Sequence, residues 1–256
     1  TPIGANVRST VATYANVHDE LRKIYAKQPV SRERGYKAGD FSYNTGKLRC
    51  PECDGTGEIS LDVQFLPDVE IPCPLCGGSR YASEAWDVKC ETKHGSFSLP
   101  QLMEQDVNTA ADSCSDWKTI RQRLETLKNI GLGYLTLGEA TPSLSGGEAQ
   151  RLKLASEMGK EQGDTLFVFD EPTIGLHPLD VRTLLSVFQQ LINLGATVIV
   201  IEHDLDVIRN ADYIIDMGPG GGIDGGRIIA EGTPYEVSKN HDSMTGRYIK
   251  SDSTIS

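Results

Sequence analysis

Four cysteines in two knuckles, Cys50-Pro-Glu-Cys53 and Cys73-Pro-Leu-Cys76, constrain this chain more tightly than anything else in it. Nineteen residues separate the pairs. That spacing lets four thiolates close a tetrahedron round one ion and leaves no ligand position open, so the site builds structure and does no chemistry. Small residues follow each knuckle, Asp54-Gly-Thr-Gly57 and Gly77-Gly78-Ser79, and permit turns tight enough to aim both sulfurs of a pair at one point. Disulfide pairing is the competing use of four cysteines. It needs an oxidising compartment, and the chain shows no secretory apolar segment. The expected occupant is a structural Zn2+. Cys90 and Cys114 have no comparable spacing and read as ordinary buried or half-buried thiols.

At 256 residues and 38% hydrophobic content the chain has room for one large or two small domains. No apolar run reaches the eighteen or more residues of a membrane span. A net charge of -11 argues against nucleic acid as a partner, but the average hides an asymmetry. Residues 1–50 hold nine Lys/Arg against four Asp/Glu, whereas 51–256 hold sixteen against thirty-two. The basic part ends at the knuckles. The chain opens on Thr1 without a methionine or a targeting peptide and reads as starting inside a domain. A phosphate-cradling G-x-x-x-x-G-K-[ST] is absent: neither Gly46-Lys47-Leu48 nor Gly159-Lys160-Glu161 has the preceding glycine or the following hydroxyl. A nucleotide cradle is therefore expected upstream.

Val17, Leu21, Ile24 and Tyr25 recur at helical spacing within Val11–Ala26. Ser31 to Arg49 is polar, basic and glycine-containing, an irregular or β-hairpin approach to the knuckles. Between the knuckles, Ile59, Leu61, Val63 and Phe65 alternate as in a hairpin. Residues 97–137 read as helical, with Ile120, Leu124, Leu127 and Ile130 in one stripe ended by Gly131 and Gly133. From Thr165 the texture changes to apolar runs at 166–169, 198–201 and 213–216 with helices over 181–194 and near 205–209, which predicts a parallel sheet covered on both faces.

Asp170 and Glu171 follow the first of those strands, where ligands of open parallel sheets gather. Asp170 suits a Mg2+ that accompanies a nucleotide, and Glu171 suits orientation or deprotonation of an attacking water. Alone, an acidic pair there also suits helix capping. The next strand ends in Glu202-His203-Asp204, so His203 opens on the same crevice, placed to sense a terminal phosphate. Ser145-Gly-Gly-Glu148 starts a helix as a capping box. The box accounts for Ser145 and Glu148 but not for Gly146 and Gly147, each of which costs about 1 kcal/mol in a helix; bare amides at a helix start bind anions. The glycines of 218–226 lack a lysine and read as turns before a strand at 227–231.

Together, Leu144–Glu148, the strand with Asp170-Glu171 and Pro172-Thr-Ile-Gly-Leu-His177, and Ile201-Glu-His203 resemble the signature, Walker B and switch-histidine motifs of an ATP-binding cassette. With four cysteines ahead of the signature, "RGYKAGDFSYN" before them and "FLPDVEIPCPLC" among them, the chain resembles the second cassette of the A subunit of the bacterial UvrABC excinuclease over essentially its whole length. The resemblance implies an α/β fold, a partial ABC-type cassette with an inserted helical signature domain and zinc module. It implies 1–40 as the segment after the Q-loop, 41–95 as the zinc module, 96–160 as the signature subdomain and 161–256 as the ATP-binding lobe. It further implies ATP, Mg2+ and Zn2+ as cofactors, a cytoplasmic location, and no membrane. Its partners would be double-stranded DNA, the N-terminal cassette of the same chain, a second copy in a homodimer and a UvrB-like helicase subunit. Ser145, Gly146 and Gly147, with Glu148 beside them, would then face the ATP of the other cassette, while Asp170, Glu171 and His203 serve this one.

Arg32, Arg34, Lys37, Lys47 and Arg49 are the candidate contacts to phosphate backbone; a solvated basic loop is the alternative reading. Asp40 stands where the family commonly has a basic residue, and the stretch from Asn44 to Cys50 departs from its glycine-rich form. Both departures also suit a paralogue of the kind associated with drug tolerance. The ATPase of a membrane transporter shares the cassette motifs but lacks the cysteines. Zinc-containing chaperones share Cys-x-x-Cys-x-Gly-x-Gly but lack the α/β lobe.

Overall fold

The computed structural model describes residues 6–61, 69–158, 165–220 and 225–251. The chain divides into two compact units, Thr1–Lys160 and Glu161–Ser256.

The first unit begins with α1 (Val11–Tyr14) and α2 (Val17–Tyr25). The single helix expected over Val11–Ala26 is two, because Asn16 takes a left-handed φ of 57° and breaks the ladder. Thr10 caps α1 with a capping box, and α2 buries Val17, His18, Leu21 and Tyr25. Next, α3 (Pro29–Glu33) and a 3-10 turn at Ala38–Phe41 take the basic stretch up to the knuckles. That stretch is thus irregular and not a hairpin.

Between the knuckles β1 (Glu58–Leu61) pairs antiparallel with β2 (Val69–Pro72), in the register Glu58 to Pro72. Val63 and Phe65 of the expected hairpin lie outside the described residues. After the second knuckle come α4 (Glu84–Asp87) and the hairpin of β3 (Lys89–Thr92) with β4 (Gly95–Ser98). Then follow α5 (Leu99–Met103), α6 (Val107–Ser113), α7 (Lys118–Asn129) and α8 (Gly146–Glu157). The α7 stripe packs as its periodicity requires, with Ile120, Leu124, Leu127 and Ile130 all buried. Gly131, at φ 74°, ends it: its amide and that of Leu132 donate to the carbonyls of Lys128 and Leu127, a Schellman closure.

The second unit has a parallel pair, β5 (Leu166–Asp170) and β6 (Thr197–Ile201), joined through α9 (Pro178–Asn193). Val181, Leu184, Val187, Phe188 and Leu191 of α9 are buried, and Phe188 packs on Phe169 with ring centroids 5.0 Å apart. Cover on both faces was expected, but the opposite face is bare among the described residues. Leu166, Val168, Ile199 and Ile201 are each about half exposed there. Beyond β6, α10 (Leu205–Arg209) leads to β7 (Ile214–Gly218), which pairs antiparallel with β8 (Arg227–Gly232); α11 (Pro234–Lys239) and α12 (Met244–Ser251) follow. Ile214, Ala230, Val237 and Ile249 form a small core. Asp216 ties β7 to the start of α12 by accepting hydrogen bonds from Ser243 Oγ at 2.5 Å and Thr245 Oγ1 at 2.8 Å.

Candidate functional site

Among the described residues, chemistry-bearing side chains gather in each of the two units. In the first, the sulfurs of Cys50, Cys53, Cys73 and Cys76 lie within 4.8 Å of one another. Cys50 and Cys73 are 3.9 Å apart, and Cys53 and Cys76 are 3.7 Å apart. Thiolates held tetrahedrally at 2.3 Å from an ion stand about 3.8 Å from each other, so the four sulfurs fit such an ion. Burial alone would raise the Cys53 thiol, but the amide of Gly57, 3.3 Å from its sulfur, the Cys50 thiol and the amide of Gly55 outweigh it and bring the pKa down to about 7. Burial pushes Cys76 up to about 12. An ion that withdraws charge from all four sulfurs removes that conflict.

Backbone contacts fix the geometry. The amide of Cys73 donates to Gly57 O, that of Cys50 to Arg80 O and that of Ala82 to Leu48 O. Arg49 and Tyr81 form an antiparallel bridge that closes the base of the module. Gly55, at φ 79°, lies so close to Tyr43 that a Cβ would stand 1.7 Å from its carbonyl oxygen. Asp54, on the first knuckle, accepts from Arg49 and from Arg8, each at 2.9 Å. Arg8 was not singled out by sequence, because 46 residues separate it from Asp54.

Of the basic candidates, Arg32, Lys37 and Lys47 are exposed and carry no ion pair among the described residues. Arg34 instead meets Asp87 at 2.8 Å, and Arg49 is shared with Asp54. Lys47 and Arg49 line a 240 Å³ depression with Tyr36, Leu48, Pro51 and Ala82. Asp40 is built into the loop: its carboxylate accepts the Lys37 amide at 2.8 Å and its carbonyl the Leu48 amide at 3.0 Å. Cys90 and Cys114 are buried, and burial pushes Cys114 up to about 12. Cys90 Sγ accepts from Gln28 Nε2 at 3.2 Å.

At the start of α8, Ser145 Oγ accepts the Glu148 amide and Glu148 Oε2 accepts the Ser145 amide at 2.7 Å. Tyr134, unremarked in the sequence, donates its hydroxyl to Glu148 Oε1. Both carboxylate oxygens of Glu148 thus serve the cap and its neighbour. A methyl group on Gly146 would meet nothing within 4 Å, so no atom of the surrounding fold demands glycine there.

In the second unit, Asp170 ends β5 beside Ile201 of β6. The next amide, Glu171, donates to Ile201 O at 2.8 Å, and its φ of 46° turns the chain sharply off the sheet. That turn brings Glu171 Oε1 to 3.3 Å from Nε2 of His203, an exposed imidazole. Asp170, Glu171 and His203 therefore gather at one strand edge. Glu202, named in the sequence but given no role, links the two loops. Its Oε1 accepts from the amide and hydroxyl of Thr173 at 2.8 and 2.6 Å, and its Oε2 from the amides of His203 and Asp204 at 3.0 and 3.3 Å.

No protein-family model matches the chain. UvrABC system protein A of Clostridium tetani is 47% identical over 250 residues, 97% of this chain and 26% of that protein. The same protein of Aquifex aeolicus is 47% identical over 97% of the chain and 27% of its own length, and that of Bacillus subtilis is 47% identical over 97% and 26%. The solved structure of UvrA2 from Deinococcus radiodurans superposes with a TM-score of 0.85 at 43% identity, over 97% of this chain and 30% of that one. The chain thus spans about a quarter of the length of the curated relatives it matches. Across the segment it spans, the chain is a homologue of the UvrABC system protein A family.

Proposed function

We propose that this chain is the rear part of a DNA-damage-recognition ATPase of nucleotide excision repair, with ATP held against it by a phosphate loop carried elsewhere in the protein. The observation that carries the reading is the approach of Glu171 Oε1 to His203 Nε2, 3.3 Å apart at the ends of neighbouring parallel strands. A carboxylate there can orient a water, and an imidazole beside it can donate to a terminal phosphate oxygen. Asp170 would hold Mg2+, which supplies charge neutralisation at the phosphates. Ser145, Gly146 and Gly147 would present the start of α8 to the ATP of another cassette, and the room left at Gly146 supports close approach.

Zinc is the ion that four thiolates at these distances suit best, and a full thiolate shell leaves it a structural role. Arg32, Lys37 and Lys47, with Arg34 and Arg49 from their ion pairs, would contact duplex backbone, positioning the protein without reading sequence. Pairing with an N-terminal cassette, dimerisation, hand-over to a UvrB-like helicase subunit and a cytoplasmic location belong to the same proposal. In the protein carrying both this chain and its phosphate loop, Glu171→Gln should abolish Mg2+-dependent ATP hydrolysis measured by phosphate release while ATP still binds. The 256-residue chain by itself should release none. Turnover by the chain alone, or full turnover in the variant, would defeat the reading.

A further inference from the structure

Glu202 sits between the two loops that carry Glu171 and His203. Both its oxygens are engaged, each by two donors. Oε1 takes the amide and hydroxyl of Thr173, two residues past Glu171, and Oε2 takes the amides of His203 and Asp204. Twenty-nine residues of chain separate Thr173 from Glu202, so one carboxylate fastens two distant loops to each other. Bonds from an ionised carboxylate to N–H and O–H donors are the stronger kind, and three backbone amides among the four leave little freedom for either loop.

What they restrain includes a strained turn of backbone. Glu171 takes a left-handed φ of 46°, a conformation that costs a side-chain-bearing residue free energy and persists only where its surroundings impose it. It is held on one side by its own amide bonding to Ile201 O and on the other by Thr173 on Glu202. His203 is 85% exposed, so packing does not orient it; its amide on Glu202 and the Glu171 contact do.

We propose that Glu202 is a positioning residue for nucleotide hydrolysis, a clamp that sets the distance between the water-orienting carboxylate and the phosphate-sensing imidazole. The inference rests on the nucleotide reading above and deepens it. Both Glu202 oxygens are taken up by donors of the two loops, so its loss should act on turnover and leave nucleotide binding alone.

The test uses the protein that carries this chain with its phosphate loop, and compares Glu202→Ala, Glu202→Gln, Thr173→Ser and Glu171→Gln in steady-state ATP hydrolysis, with thermal melting as the check on folding. A misplacement of reacting groups by about 1 Å costs on the order of 100-fold, so Glu202→Ala should lower kcat by roughly 10- to 100-fold with KM for ATP within about threefold of the parent. Glu202→Gln should fall between the two. Its amide oxygen can still accept from Thr173, but its NH2 then faces the N–H groups of His203 and Asp204, donor against donor. Thr173→Ser keeps both donors, so its kcat should fall less than that of Glu202→Ala; a kcat as low as that of Glu202→Ala would count against the clamp. A parental kcat in Glu202→Ala, or a raised KM at unchanged kcat, would overturn the clamp while an inactive Glu171→Gln kept the hydrolytic reading standing. Full activity in Glu171→Gln would remove the reading on which the clamp rests.

Discussion

Burial holds the His18 imidazole neutral: desolvation first, and the nearby Arg22 charge second, lower its pKa from 6.5 to about 3. His18 Nε2 lies 2.7 Å from the Tyr81 hydroxyl, which also reaches Phe41 O at 3.1 Å. A depressed folded pKa means that the stability is fully present above pH 6.5 and drains away as pH falls towards 3, at about 1.4 kcal/mol per pH unit. His18→Gln keeps a polar partner for Tyr81 and removes the titration. Denaturant unfolding of the chain between pH 6.5 and 4.5 should therefore show a shallower loss of stability in the variant. Two glycines offer a contrast of another kind. Gly77 has a φ of 59° and open space, so Gly77→Ala should cost only the roughly 1–3 kcal/mol of a left-handed alanine. Gly55→Ala meets the same backbone cost and also drives a methyl into the Tyr43 carbonyl. A competing chelator should strip metal from Gly55→Ala at concentrations that leave Gly77→Ala loaded.

The β1–β2 pair is four residues deep and leans on a cluster made of Cys50, Cys53 and Cys73 with Ile59 and Cys76, too small to serve as a core by itself. Metal binding contributes about 10–16 kcal/mol to modules of this type. Chelation should open 41–95 to limited proteolysis and leave the cutting pattern of 161–256 as it was; a protected module after chelation would contradict a structural ion. The sequence showed this hairpin and the α7 stripe because each is written in a local period of two or of 3.6 residues, and the β5–β6 strands because each is an unbroken apolar run. It did not show α3 or the 3-10 turn, too short to carry a period, nor the break at Asn16, which falls just ahead of the stripe that begins at Val17. Site residues divided the same way. The cysteines, Ser145–Glu148 and Asp170-Glu171 announce themselves by spacing, whereas Glu202, Tyr134 and Arg8 matter through partners 29, 14 and 46 residues off, which only folding brings near.

A bare sheet face tells something about the polypeptide at large. Leu166 and Val168 on β5, with Ile199 and Ile201 on β6, leave four large apolar side chains between 49 and 58% exposed on a pair of strands otherwise well packed against α9. Apolar area of this kind is worth about 25 cal/mol per Å² when covered, so the chain by itself should self-associate as its concentration rises. Sedimentation velocity should register that association, and the double change Val168→Glu with Ile199→Glu should suppress it; a monomer at every concentration would argue against a face in need of cover. A different lesson comes from the Arg49–Tyr81 bridge. The thirty-odd residues of the knuckles leave and rejoin the helical framework side by side at this bridge, and the Arg8–Asp54 pair with the Gly55–Tyr43 approach ties the first knuckle to it at further points. An insertion between residues 54 and 73 that spares Asp54 and Gly55 would therefore leave both the shared entrance and these anchors as they are.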